Sequence, residues 1–243
     1  MRILVVNANT TEAITEACVA AARATAAPGT EIIGATPGFG PAVISTRVEN
    51  AIAGHALLAT LADHAGQVEA AILAVSHDTA LEAARQMMPC PVIGMTEAAC
   101  LTACLLGGHF GVLTLGQARP YEELVARHGL ASRCGEVRGL PLTPQESLRD
   151  PAAARALVLE AAAEMAARCD SVVLAGAALA GMAAELQDRA MVPLLDGIVC
   201  AVKLAEALVP LGLPKPRAGS YAAPRGREAL GLSPALTRLL HGG

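Results

Sequence analysis

A hydroxyl, an imidazole and a carboxylate stand side by side as Ser76, His77 and Asp78 in "AVSHDTALEAAR" (74–85), where an apolar run gives way to a helical pattern. These are the groups of general acid–base chemistry, and a histidine with an ordinary near-neutral pKa is a fitting proton acceptor. Neighbouring residues of an extended chain face opposite ways, so the three do not make a triad by spelling alone. His77 and Asp78 are candidate catalytic residues, and Ser76 and Thr79 candidate substrate contacts. A second polar locus is "VVNANTTEA" (5–13), where Asn7 and Asn9 follow an apolar strand pattern. Asparagine amides at a strand's carboxyl edge offer donors and an acceptor to a carboxylate or amide ligand. The same residues are also favoured in turns for their tolerance of unusual backbone angles.

The elements that must position these groups alternate along the whole chain. Strands are expected at 2–8, 31–36, 70–75, 91–95, 110–115, 135–140, 171–176 and 192–197, most of them apolar throughout, as strands buried on both faces are. Helices are expected near 11–26, 47–66, 79–88, 96–107, 119–129, 151–168, 180–190 and 197–209, with Thr10, Asp78 and Asp150 as N-caps. The tail from Leu211, rich in Pro and Gly, is expected to wrap the surface. This alternation predicts an α/β fold built on parallel sheets.

Residues 70–99 and 171–201 match strand to strand and helix to helix, with Pro91 opposite Pro193. The chain therefore reads as two pseudo-symmetric α/β domains, the first over 1–95 plus 205–243 and the second over 96–204. In this repeat Val75 corresponds to Gly176, each closing a strand. Ligands of open parallel sheets gather at the carboxyl ends of strands, so a small-molecule cleft between the two halves is the expected site.

Composition narrows the function classes. The 243 residues are 53% hydrophobic and 16% charged, with net charge −4. The 18 basic residues are dispersed except for a mild cluster in "PKPRAGSYAAPRGRE" (214–228), and two Tyr, two Phe and no Trp leave no base-stacking platform. Nucleic acid is not an expected partner. No apolar run reaches the roughly 18 residues of a membrane span, and "MRILVVNANT" lacks signal-peptide order, so a cytoplasmic protein without membrane partners is expected. The seven cysteines include no CxxC pair, which gives no signal for zinc or a disulfide framework. No metal and no cofactor is expected.

Several pieces occur in one order: "NANTT" (7–11), "GPAVIST" (40–46), "DTALEAAR" (78–85), "PVIGMTEAA" (91–99), "FGVLTL" (110–115), "LAGAALAGMA" (174–183), "VPLLDG" (192–197) and "AGSYAAP" (218–224). Together they resemble the aspartate/glutamate/hydantoin racemase superfamily, in particular its hydantoin and allantoin racemase branch, over nearly the whole chain. The resemblance implies a cofactor-independent enzyme with its substrate in a cleft between two domains. It also implies two opposed cysteines that act as acid and base on a carbon next to a carbonyl. The family's first cysteine maps onto Val75 and its second onto Gly176, so neither thiol is present here. Relatives with a single cysteine carry out decarboxylation with enantioselective protonation, and this sequence keeps not even one.

The resemblance further implies that the backbone amides of Ser76, His77, Ala177 and Ala178 lie at two helix N-termini and stabilise an anionic group, which supports proton abstraction, lyase and hydrolytic chemistry alike. Tyr121 falls where some relatives place a cleft tyrosine, and Thr46 and Thr114 are comparable hydroxyls. For each, a bond to the local backbone is the competing role. At Gly176 the lost side chain makes room for a bulkier ligand atom or a water. The expected function is chemistry on a small hydantoin-like ring or related carboxylate without the cysteine pair, with hydrolytic or lyase chemistry as plausible as racemisation. The alternatives are racemisation through another cysteine such as Cys104 or Cys200, and an inactive metabolite-binding paralogue. A homo-oligomer is expected.

Overall fold

The structure, a computed structural model, describes residues 1–226 and 228–241, and the side chains of all of these except Pro144, Leu148 and Ala177. Eight strands, β1 (Arg2–Val6), β2 (Glu31–Ala35), β3 (Ala70–Leu73), β4 (Val92–Gly94), β5 (Phe110–Leu115), β6 (Cys134–Leu140), β7 (Ser171–Ala175) and β8 (Leu194–Asp196), form two sheets. The helices among the described residues are α1 (Glu12–Thr25), α2 (Arg47–Asp63), α3 (Leu81–Met87), α4 (Met95–Leu106), α5 (Arg119–Arg127), α6 (Pro144–Arg149), α7 (Pro151–Met165), α8 (Met182–Leu186), α9 (Gly197–Leu208) and α10 (Pro234–Leu240), with short 3-10 turns between some of them. Each expected strand and helix has its counterpart, usually one to three residues shorter because the terminal residues leave the ladder to form the connecting turns.

The chain divides into two compact units, residues 1–94 with 202–243, and residues 95–201. The first holds a parallel sheet of order β2-β1-β3-β4 and the second a parallel sheet of order β6-β5-β7-β8. The two orders are the same pattern repeated, which the matched segments 70–99 and 171–201 anticipate. In each, the chain moves outward from the central strand on one side and then crosses to the other. The carboxyl ends of β1 and β3, and of β5 and β7, therefore flank a topological switch point.

Burial explains why these segments become strands. Ile3 to Val6, Ala70 to Leu73 and Val172 to Ala175 are essentially inaccessible, as expected where helices cover both faces of a sheet. Around them pack Leu57 and Leu61 of α2, and Leu81 and Ala84 of α3, in one unit. Val158, Ala162 and Met165 of α7 do the same in the other.

Several expectations are corrected. The N-cap of α1 is Thr11, not Thr10, and its side chain makes no capping bond. Asp78 does not cap α3, because Asp78 and Ala80 adopt φ of 47° and 57° and delay the helix to Leu81. Asp150 does cap α7, its carboxylate accepting from the Ala153 amide at 3.0 Å. Helix α6 is an addition, opened by a capping box between Thr143 and Glu146 that "TPQE" spells out.

The tail also holds more than a surface wrap. It forms α10, capped by Ser233 with Pro at its start, and seats Leu236 at 4% exposure in the core with α2. Lys215 ties the tail to α3 by donating to the carbonyls of Arg85, Gln86 and Met88 at 3.1, 2.6 and 2.6 Å. Leu236→Ala is expected to cost about 2–4 kcal/mol of unfolding free energy, measured by urea titration, as a core truncation does. A loss near zero would mean that the tail is peripheral.

Candidate active site

In the first unit, the Asn7 amide extends the sheet by donating to Ala35 O at 3.1 Å, and the chain then turns. Asn7 Nδ2 donates to Asn9 Oδ1 at 2.9 Å and to Thr11 O at 3.3 Å, while Asn7 Oδ1 accepts from the Asn9 amide at 3.2 Å. Asn9 Oδ1 also accepts from the Thr11 amide at 3.0 Å. Asn7 is thus spent on building the turn. Among the described residues Asn9 Nδ2 has no protein acceptor, so this nitrogen is the donor the turn offers to a ligand.

The second wall of the switch point is the turn after β3. Ala74 donates to Val6 O at 2.8 Å, and Val75, 7% exposed, is part of the hydrophobic core. Asp78 is 1% exposed, and a Cβ placed on Gly94 at the end of β4 would lie 2.5 Å from its carboxyl carbon. This carboxylate is therefore buried in the space over Gly94. Thr79 is likewise buried, its hydroxyl donating to Asn50 Oδ1 at 2.6 Å. Ser76 and His77 are only half-buried, which leaves them as the turn's accessible polar side chains.

The second unit repeats the arrangement with different parts. Thr114 holds in β5 the place that Asn7 holds after β1, is buried, and pairs with Ala175 and Gly139. Gly176, at φ 136°, ends β7 with open space where a side chain would stand. A 3-10 turn over Ala177–Leu179 follows, and then Gly181 at φ 81°. Gly181 is the counterpart of Ala80, so both units turn into their helix through a left-handed residue. Here the bracing carboxylate comes from the strand: Asp196 Oδ2 accepts from the Gly181 amide at 2.6 Å, and Oδ1 from Ile198 and Val199 at 2.8 and 3.1 Å. Asp196 sits in the register that Gly94 occupies in the first unit. The acid comes from the turn in one unit and from the last strand in the other.

A match to the Asp/Glu/Hydantoin racemase family model covers residues 3–205. The chain belongs to this family. It is 32% identical over 236 residues to a hydantoin racemase from Paenarthrobacter aurescens, covering 95% of this chain and all of that protein. A hydantoin racemase from Rhizobium meliloti is also 32% identical, over 238 residues, with 95% of this chain and 98% of the relative covered. Among solved structures, allantoin racemase from Pseudomonas fluorescens superposes with TM-score 0.90 at 34% identity, covering 95% of this chain and 100% of that one. Arylmalonate decarboxylase, at TM-score 0.60 and 20% identity over 90% of this chain and 96% of its own, shares the fold.

Within that racemase frame the expected residues separate. His77, Ser76, Asn9, Thr114, Gly176 and Ala178 lie at the carboxyl ends of the inner strands. Thr46 does not remain available: it caps α2, accepting from the Glu49 amide at 3.2 Å and donating to Glu49 Oε2 at 2.9 Å. Tyr121 lies in the first turn of α5 and is 6% exposed, so its ring is chiefly core. The amides of Ser76 and His77 precede α3 rather than heading it, because the left-handed Asp78 and Ala80 intervene. Ala177 and Ala178 begin a 3-10 turn, not α8. The bracing role of Asp196 was not assigned from the sequence, although a strand ending in Asp-Gly before a helix is a capping signature.

Gly94→Ala drives a methyl into the Asp78 carboxylate and is expected to cost about 1–3 kcal/mol, as overpacking does, measured by urea unfolding. Asp78→Ala in the same chain should recover part of that loss; no recovery would show that the two do not compete for one space.

Proposed function

We propose that this protein moves the proton on the stereogenic carbon of a small hydantoin-like ring, and that it does so without a cysteine pair. The observation that carries this reading is the match to hydantoin racemases along 95% of the chain, with an allantoin racemase structure at TM-score 0.90. Both substrates named by those relatives are cyclic ureides with a hydrogen on carbon beside a carbonyl. The relatives favour isomerisation over the hydrolytic or lyase chemistry that the lost thiol positions leave open.

The proton chemistry falls to His77. It is the imidazole next to the strand end where the resemblance places the first thiol, and it is not sealed into the core. Asn9 Nδ2 supplies a donor for the carbonyl oxygen as that oxygen gains enolate charge. At Gly176 the open space admits a water or a ring substituent. Asp78 holds the turn that carries His77.

The remaining cysteines are poor substitutes. Burial pushes the Cys200 thiol up to about 11, partly offset by a hydrogen bond with Thr102, so it stays protonated near neutrality. Cys104 lies in the last turn of α4. Cys104→Ala and Cys200→Ala should therefore each leave turnover within about twofold of wild type, which is a change below 0.5 kcal/mol. Loss of activity in either would return the chemistry to a thiol.

The deciding experiment incubates the protein with one enantiomer of a 5-substituted hydantoin in deuterated water. Loss of the C5–H signal by NMR and loss of optical purity by chiral chromatography, both faster than in buffer, are expected. His77→Ala should slow both by about 10²–10⁴, the range for a general acid–base group. A ring-opened carbamoyl product, or saturable binding without exchange, would overturn the reading.

A further inference from the structure

We propose that the C-terminal tail carries a binding site for a small, multiply charged oxyanion, separate from the turns that carry His77 and Gly176. The tail segment "KPRAGSYAAPRG" (215–226) brings three cationic side chains and no acidic one into a protein of net charge −4. The structure folds this segment around a cavity of about 540 Å³ lined by Lys215, Arg217, Arg225 and His241, with Pro216 and Pro224 among its apolar walls. Among the described residues no Asp or Glu lines it.

The cavity is built by specific contacts. Its first edge is pinned where Lys215 spends its ammonium protons on the three carbonyls at the end of α3, so Lys215 contributes charge to the cavity but not a free donor. A turn closed by the Ala222 amide on Gly219 O, at 3.2 Å, reverses the chain. Gly226, at φ 55°, then passes so close to the end of α10 that a Cβ there would lie 3.0 Å from His241 Cα. These three constraints hold Arg217 and Arg225 on one cavity.

Neither guanidinium has an ion-pair or hydrogen-bond partner among the described residues. Some surface arginines are paired, such as Arg155 with Glu185 at 2.6 Å and Arg2 with Glu31 at 3.1 Å; what sets Arg217 and Arg225 apart is that both line one cavity. Two unpaired planar forks facing one space suit a phosphate or a dicarboxylate, which each can grip with two parallel bonds. The volume is that of a small-molecule site, and among the described residues no Phe, Tyr or Trp lines it.

Isothermal titration of the full-length protein at fixed ionic strength, with inorganic phosphate, pyrophosphate and succinate in separate arms and chloride as the control, tests the proposal. Saturable binding of at least one of the three is expected, and the arm that binds most tightly tells phosphate from carboxylate chemistry. The Arg217→Ala/Arg225→Ala variant should bind about tenfold or more weakly, which corresponds to 1.4 kcal/mol, with an unchanged circular dichroism spectrum. Arg217→Lys/Arg225→Lys, which keeps the charge and removes the forks, should fall between the two. No binding in any arm, equal binding by the alanine variant, or binding of duplex DNA in preference to all three anions would overturn it.

Discussion

The candidate active site depends on a left-handed turn after the third strand of each unit, held by a buried carboxylate. Ala80 in one unit and Gly181 in the other take positive φ at equivalent places. For alanine that conformation costs of order 1 kcal/mol, and such strain persists only where the surroundings over-determine it. The Asp196 carboxylate holds the Gly181 amide in one unit, and in the other the buried Asp78 packs over Gly94. Without the brace the turn would relax toward an ordinary helix start, and the residues just ahead of it, His77 in one unit and Ala178 in the other, would lose their setting. The exchange of donor element between the units shows that a carboxylate at this level is what the geometry requires. Which strand or turn delivers it is secondary.

That requirement explains a division of labour among polar residues that are near neighbours in sequence. Asp78 and Thr79 are drawn inward by the left-handed backbone and are consumed by Gly94 and Asn50. Ser76 and His77, ahead of the kink, stay at the strand's edge. The same logic separates Asn7 from Asn9: one amide closes the turn with both of its polar atoms, and the other keeps its nitrogen. In each pair the residue that looks equally functional on paper is the one that makes its neighbour's position possible.

The architecture was legible because its signals are long and redundant. Eight apolar runs alternating with Ala-rich helices allow little but parallel sheets, and a repeat of 30 residues fixes the pseudo-symmetry before any contact is known. The site was legible only to the level of the strand end. Whether Thr46 offers its hydroxyl outward depends on Glu49 three residues on, a capping box that "TRVE" contains but that the search for substrate hydroxyls passed over. Whether Tyr121 reaches a ligand depends on packing that no local pattern encodes. The tail was misjudged for a related reason: seven residues of α10 are too short to show periodicity, so Pro and Gly around them set the reading.

Val75 and Gly176, the positions onto which the family resemblance maps two thiols, differ in their packing. Val75 is 7% exposed and continuous with the core, so its side chain serves as packing. At Gly176 a Cβ would meet nothing within 4 Å, so that strand end is open. In the proposed chemistry the proton is taken by a group that reaches past Val75, and of the turn's side chains His77 is the half-buried imidazole. The fold has kept its strand order, its left-handed turns and their carboxylate braces, all of which orient the backbone at these two strand ends. In the proposed chemistry that frame is kept and the proton acceptor is His77, two residues beyond Val75.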